Sequence, residues 1–543
     1  MNKGANKGAN LIPAPRRAVG GTATFALRSG AVVALGDATL TGIVERFCAD
    51  VARYAGLELV AQAGGVGEPA VRIELAQVPE LDALPPPIGI DPAGDAARDE
   101  GYSLVVERDG VMVRAPEAIG VARALTTLVQ LAATAERGAD GSVTLPSIRI
   151  VDAPRFAWRE LVFDVARTHF TPDEVRRVID LAARYKFNVL ALHLTDDQGW
   201  RLPVGRPERD PGGDEAFYTE AELRELIAYA EDRFVTVVPE VDFPGHVRAL
   251  FRLRPELQSG RNMVEAEPTP GWEVRSAWLD PDLAATWPVV EEVWRGVADI
   301  FPSTYVNIGG DEAFGMPDDL YRGFMHRFVP FVRSLNKRTV GWQESVRAIT
   351  DADHVIGYWI SGHRSTLPVD RTVKLPGPPE VAETYLRSRE DIDAAVAHSM
   401  RIRVLPLSNA YLDRPYAEPS TDTEQEERRQ RVGQQGYPRK TIAEMFDWDP
   451  ATALGPGVGP RHLAGAGCAI WCETIRDFGD LTFLLLPRLC GVAQKAWGDS
   501  QVTWEAHSAA LRDHAPLWSR DGLTWFRSSV IDWRPAEAVV TKD

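Results

Sequence analysis

Two adjacent acids, Asp311 and Glu312, follow two adjacent glycines, Gly309 and Gly310. Neighbouring side chains on a strand point to opposite faces. Both acids can therefore face one ligand only where a strand has ended and the backbone turns, which the glycines make easy. Other residues suited to chemistry end apolar runs in the same way: Asp164 and Arg167; His193, Asp196 and Asp197; Glu240, Asp242 and His246 in Pro239–His246; Trp342; Trp359; Tyr411 and Asp413; Trp471 and Glu473. Aromatic faces stack on pyranose C–H groups, while carboxylates and arginine hydrogen-bond hydroxyls. Acids, aromatics and one arginine converging on a rim thus suit a sugar. Taken singly each has a plainer reading: Asp196-Asp197 as a loop turn, Trp342 as core, His246 as a satisfied structural histidine. Their coincidence at successive strand ends favours a site.

The elements that must position them are legible. Eight short apolar runs alternate with helical segments: 161–166, 189–194, 235–242, 303–311, 338–344, 354–360, 401–407 and 467–473. This pattern predicts βα units and a parallel sheet. Thr171-Pro172-Asp173-Glu174 and Thr219-Glu220-Ala221-Glu222 fit capping boxes that open two of the helices. The fold class is α/β, a (β/α)₈ barrel preceded by a smaller α+β domain, with a doubly wound open sheet as the alternative on spacing alone. In a barrel, the C-terminal strand ends form the active-site face. Residues 101–115 read as a hairpin and 119–136 as a helix, with a return strand at 148–156. The expected organisation is a flexible N-terminus (1–19), an α+β domain (20–152), the barrel (153–505) and a helical or irregular extension (506–543). The charged stretch 419–436 reads as a solvated insertion.

Composition narrows the class. The chain has 543 residues, 45% hydrophobic and 25% charged, with a formal net charge of −17. Nucleic-acid and anionic-membrane partners call for basic patches, so neither is expected. No 18-residue apolar run and no apolar signal core occurs near the N-terminus, so a cytoplasmic location is expected unless a leader has been removed. Cys468 and Cys472 lack a nearby histidine cluster, and buried free thiols are a better reading than zinc. No metal or cofactor is expected.

The adjacency of Asp311 and Glu312 constrains mechanism. A retaining glycosidase ordinarily flanks the bond with an acid and a nucleophile about 5 Å apart. Adjacent residues approach from one side, which suits a substrate that supplies its own nucleophile.

The stretches FDVARTHF (163–170), KFNVLALHLTDDQGWR (186–201), YTEAELRELIAYAEDR (218–233), PEVDFPGH (239–246), NIGGDEAF (307–314), GWQES (341–345), GYW (357–359), NAYLD (409–413) and AIWCE (469–473) closely resemble family-20 glycoside hydrolases, the β-N-acetylhexosaminidases. The resemblance implies an exo-acting retaining enzyme on terminal β-linked GlcNAc or GalNAc, working through an oxazolinium intermediate. A sugar-binding relative without turnover, or one taking a disaccharide unit or modified sugar, is the alternative. By position, Glu312 is similar to the general acid/base and Asp311 to the carboxylate that orients the 2-acetamido group. Arg167 resembles the residue gripping the 3- and 4-hydroxyls, and Tyr411 the donor to the acetamido oxygen. Trp342, Trp359 and Trp471 would wall the pocket, Asp413 and Glu473 would bind outer hydroxyls, and Asp196, Asp242 and His246 would support the acid. The chain departs from the family pattern at Thr168, Ala191 and Asn307, and lacks a tryptophan expected within 414–440.

Overall fold

The computed structural model describes residues 10–63, 68–94, 98–207, 216–265, 275–360, 379–498 and 500–533. Residues 1–9 and 534–543 of the terminal segments lie outside the described residues.

The first unit is a mixed sheet with two helices. Strands β1 (Arg17–Leu27), β2 (Val32–Leu35), β3 (Val60–Ala63), β4 (Val71–Leu75), β5 (Tyr102–Glu107), β6 (Gly110–Ala115), β7 (Glu136–Arg137) and β8 (Val143–Asp152) form it in the order β1-β8-β5-β6-β4-β2-β3, with β7 on β8. The predicted hairpin is β5–β6, paired from Ser103↔Arg114 to Glu107↔Gly110. Alternation puts Val111, Val113 and Ala115 inward. They meet the apolar faces of α1 (Thr41–Ala55) and α2 (Ala118–Thr134), including Phe47, Leu125 and Leu128.

The second unit is a closed barrel. Its strands are β9 (Trp158–Asp164), β10 (Val189–His193), β11 (Thr236–Glu240), β14 (Tyr305–Asn307), β15 (Arg338–Trp342), β16 (Val355–Tyr358), β17 (Arg401–Val404) and β18 (Leu463–Ile470). Each parallel strand pairs with the next, and β18 returns to β9 through Gly465↔Trp158 to Ile470↔Phe163. Every expected run falls on one of these strands, and closure excludes the open-sheet alternative. A small two-stranded pair, β12 (Met263–Glu265) and β13 (Arg275–Ala277), stands outside the barrel. The strands are buried along their length because helices cover the outside and side chains fill the interior. Trp158, Val189, Val238, Tyr305, Val340 and Val355 plug the interior at the N-terminal end. That leaves the C-terminal end for polar groups. Both predicted capping boxes form: Thr171 Oγ1 accepts from the Glu174 amide at 3.3 Å and Thr219 Oγ1 from the Glu222 amide at 3.2 Å, opening α3 (Pro172–Arg184) and α4 (Glu220–Glu231).

The helix Trp504–Arg520 joins the two units. Its Leu517 belongs to the core of the first unit, while Trp518 Nε1 donates to Tyr185 Oη of the barrel at 2.7 Å. A buried ionic layer lies between the same units: Lys186 Nζ is 3.2 Å from Asp152 Oδ2, which also accepts from Tyr102 Oη at 2.7 Å and Trp497 Nε1 at 2.9 Å.

One sequence expectation needs correction. The stretch 419–436 is not a freely solvated insertion, since it carries a short helix, Glu426–Arg431, tied to the barrel. Arg431 and Arg428 both reach the fully buried Asp480, at 2.7 and 2.9 Å, and Arg429 is itself buried. Charge density in sequence does not distinguish solvated arginines from arginines that neutralise a buried acid.

Candidate active site

Strand β14 stops at Asn307 and the chain turns at once. Gly309 and Gly310 have φ of 70° and 92°, and Glu312 itself has φ of 46°. Glycine is required at 309 on two counts: the left-handed backbone, and a Cβ that would sit 1.7 Å from Asp242 Oδ1. That oxygen accepts the Gly310 amide at 2.8 Å, locking the turn onto the loop after β11. Tyr321, from the helix Asp318–Ser334, donates to the Gly310 carbonyl at 2.6 Å. The result brings both acids to one imidazole edge. His246 Nε2 lies 3.7 Å from Glu312 Oε2 and 3.9 Å from Asp311 Oδ2.

His246 has φ of 52° and is buried among acids. Its Nδ1 faces Asp196 Oδ1 at 3.3 Å and Asp197 Oδ2 at 3.8 Å, and Nε2 lies 4.0 Å from Asp242 Oδ2. Burial alone would discharge the ring, but Asp196, Asp242 and Asp311 hold its pKa well above the usual value. Burial raises the Glu312 carboxyl, against the opposing pull of His246 and Arg167. Burial and the adjoining Asp242 hold Asp311 well above the carboxylate range. Burial likewise lifts Asp197 to about 7. Asp196 goes the other way: despite burial, Arg167 and His246 keep it ionised. The sets Asp196/Asp197/His246 and Asp242/His246/Asp311 each have ligand-capable atoms within 4.8 Å of one another. In both, the charged imidazole supplies the positive charge that the carboxylates require.

Arg167 enters from the end of β9. Nη2 reaches Asp196 Oδ2 at 2.7 Å, Nη1 reaches Asp164 Oδ2 at 3.4 Å, and the guanidinium lies 5.3 Å from the centre of the Trp471 ring. Asp196 therefore joins the arginine of the rim to the histidine beside the acid. Thr168, one of the departures from the family pattern, donates to the carbonyls of Cys472 and Ile475 at 3.1 and 2.8 Å, tying the end of β9 to the segment after β18.

The aromatics form one continuous cluster. Trp342 and Trp471 rings are 5.9 Å apart, Trp471 and Tyr411 5.8 Å, and Tyr411 stacks on Trp359 at 6.2 Å with 7° between planes. Trp342 Nε1 donates to Glu240 Oε1 at 3.2 Å and Trp359 Nε1 to Glu344 Oε2 at 3.0 Å. Asp413 is buried, and among the described residues neither carboxylate oxygen has a hydrogen-bond partner. Burial and the neighbouring Glu473 push it up to about 8. Glu473 itself stands exposed at the rim. Cys468 and Cys472 are buried free thiols.

The residues singled out from the sequence thus lie around the C-terminal mouth of the barrel. Glu240, named at its strand end without a role, anchors Trp342. Others were missed. Glu344 anchors Trp359, Tyr321 holds the Gly310 turn, and Tyr437 lies 6.4 Å from Tyr411 within the segment that lacks the expected tryptophan. The position of Glu344 just after β15 was a usable signal. Tyr321 had none, lying in the first turn of a helix whose apolar pattern gives it no special place.

Comparison with known proteins agrees with this geometry. The models for "Glycosyl hydrolase family 20, catalytic domain" and "Glycosyl hydrolase family 20, domain 2" match residues 156–316 with 314–500, and residues 8–153. A Beta-N-acetylhexosaminidase of Cellulomonas fimi is 37% identical over 450 residues, covering 80% of this chain and 82% of the relative. A Beta-hexosaminidase of Akkermansia muciniphila is 29% identical over 449 residues, covering 76% and 83%. The solved Streptomyces plicatus N-acetyl-beta-hexosaminidase in complex with Thio-NAglucal is similar with a TM-score of 0.78 and 29% identity, over 97% of this chain and 98% of that one. With barrel, site and both family segments in agreement, this chain is a glycoside hydrolase and belongs to glycosyl hydrolase family 20.

Proposed function

We propose that the enzyme is an exo-acting, retaining β-N-acetylhexosaminidase that hydrolyses terminal β-linked GlcNAc or GalNAc with the substrate's own acetamido group as nucleophile. One observation carries the reading: Asp311 and Glu312 approach the same edge of His246, at 3.9 and 3.7 Å, and so act from one side of a bound sugar. Two carboxylates on one side suit a substrate that supplies its own nucleophile better than an acid and an enzyme nucleophile that flank the bond.

In this reading Glu312 gives its proton to the leaving oxygen as the acetamido oxygen attacks C1. The C1–O bond breaks and an oxazolinium forms. In its ionised form Asp311 accepts from the acetamido N–H and balances the developing positive charge. Glu312, now a carboxylate, takes a proton from the water that opens the ring, and the β configuration is restored. Arg167 grips ring hydroxyls, Tyr411 donates to the acetamido oxygen, and Trp342, Trp359 and Trp471 wall the pocket. Asp413 and Glu473 receive outer hydroxyls. The intact acid pair argues against a binding protein without turnover, and the names of the relatives support the same substrate class.

The test is hydrolysis of an aryl β-N-acetylglucosaminide and its galacto counterpart beside the plain β-glucoside. Turnover of the acetamido sugars, near-absence on the glucoside and inhibition by a thiazoline mimic are expected. Equal rates on the glucoside would exclude substrate assistance, and no turnover on any of them would exclude the enzyme reading.

A further inference from the structure

Below the sugar-facing residues a second histidine, His193, joins the separate parts of the site. It ends β10 and is buried. Its Nδ1 faces Glu240 Oε1 at 2.7 Å, and its Nε2 faces Asp196 Oδ2 at 2.9 Å. A neutral imidazole carries one N–H. It can donate to one of these carboxylates but would aim a lone pair at the other. Against two carboxylates, only the doubly protonated ring donates to both. Of the other groups around it, Asp164 on β9 adds negative potential, Arg167 brings a competing positive charge to the Asp196 oxygen that the ring also binds, and Trp471 after β18 sets its ring 5.2 Å away at 89°. Burial alone would lower the affinity of this ring for its second proton, but Glu240 and Asp196 lift its pKa to about 10.

Each carboxylate also holds other parts of the site. Glu240 accepts from Trp342 Nε1 at 3.2 Å and, on its second oxygen, from Asn307 Nδ2 at 2.6 Å. Asn307 Oδ1 accepts the Gly309 amide at 3.1 Å, at the start of the turn that presents Asp311 and Glu312. Asp196 receives Arg167 and faces His246 at 3.3 Å. Without a cation between them, Glu240 and Asp196 would be two buried carboxylates competing for neutralisation.

We propose that His193 is a positioning residue: a buried, constantly protonated strut that bridges Glu240 and Asp196 and so holds Trp342, Arg167, His246 and, through them, Glu312 in one register. It touches neither sugar nor reacting atoms. The assignment of those partners rests on the function proposed above, whereas the charge of the ring does not.

The decisive measurement is the nitrogen spectrum of the full-length protein carrying ¹⁵N-histidine, with the His193 ring identified by its contact with the Trp471 indole. Both ring nitrogens are expected to keep their protons throughout pH 6 to 9. A neutral tautomer below pH 8 overturns the proposal, whether or not the protein hydrolyses hexosaminides. Glu240→Gln provides the second arm. Removing one carboxylate should bring the ring's titration down toward its ordinary value of about 6.5. Turnover should fall about tenfold to a hundredfold, with a further loss as pH rises through the new midpoint and a higher KM as Trp342 loosens. A ring that stays charged in this variant, with a pH profile of unchanged shape, also overturns the proposal. Should Glu240→Gln fail to fold, the spectrum of the native protein alone decides.

Discussion

His246 Nε2 stands 3.7 Å from Glu312 Oε2, while the opposite nitrogen of the same ring faces Asp196 Oδ1 at 3.3 Å. The acid proposed as proton donor is thus backed by a cation that is itself held by an anion. Two opposing influences act on Glu312: burial raises its pKa and His246 lowers it. A general acid must be protonated to donate, so activity should fade as pH rises through the Glu312 pKa. Replacing His246 by Asn removes the lowering influence. The alkaline limb of kcat/KM against pH is therefore expected to move to higher pH, and a downward movement would contradict the arrangement.

Glu312→Gln leaves an amide of the same shape that cannot protonate the leaving oxygen. Turnover on substrates with poor leaving groups should fall about 10²- to 10⁴-fold, with a smaller loss for activated aryl glycosides that depart unaided. Steady-state rates on the two kinds of substrate provide the check. Equal losses on both would move the acid's role elsewhere.

Gly309→Ala tests the turn. The added methyl would fall 1.7 Å from Asp242 Oδ1 at a φ of 70°, so the segment carrying Asp311 and Glu312 must shift. A displacement of about 1 Å can cost about 100-fold in rate. The left-handed backbone adds only about 1–2 kcal/mol of destabilisation. We expect activity to collapse while the thermal transition moves by a few degrees. A fully active variant would show that the turn tolerates movement.

Tyr437 is the aromatic next to Tyr411 in the segment where a tryptophan was expected. If it completes the pocket wall, Tyr437→Ala should raise KM several-fold for acetamido sugars with little change in kcat, and Tyr437→Trp should retain affinity. Michaelis parameters for the three proteins separate a wall from a remote structural contact.

Lys186 lies in the layer between the two units, 3.2 Å from Asp152 Oδ2. Burial lowers its pKa to about 8. In the unfolded chain lysine titrates near 10.4, so between about pH 8 and 10.4 the unfolded state binds more protons and this group's contribution to stability rises with pH. Lys186→Met leaves Asp152 without its charged partner. Denaturation at pH 7 should show a loss of about 3–5 kcal/mol. The difference between variant and native protein should change across pH 8 to 10, and a flat difference would place the lysine's charge outside the stability balance.

The barrel was legible in the sequence because each βα unit writes its own local signal. Apolar runs of strand length alternate with helical periodicity, and Thr171 and Thr219 open helices through contacts only three residues away. Burial and ion pairing in 419–436 were not legible, because the partner of its arginines, Asp480, lies in a different helix.

By itself the sequence determined the residue types at the strand ends, the glycines that permit the turn, and the adjacency of Asp311 and Glu312, which no packing can alter. Only the tertiary structure decided which groups each of these meets. Trp342 reaches Glu240 across 102 residues of chain, and Asn307 reaches the same carboxylate across 67. Barrel closure brings such groups into hydrogen-bonding range in a buried mouth, where charge states depend on neighbours rather than on residue type. That is why the acid beside the glycines could be named from its position, while the imidazoles that set its charge required the fold.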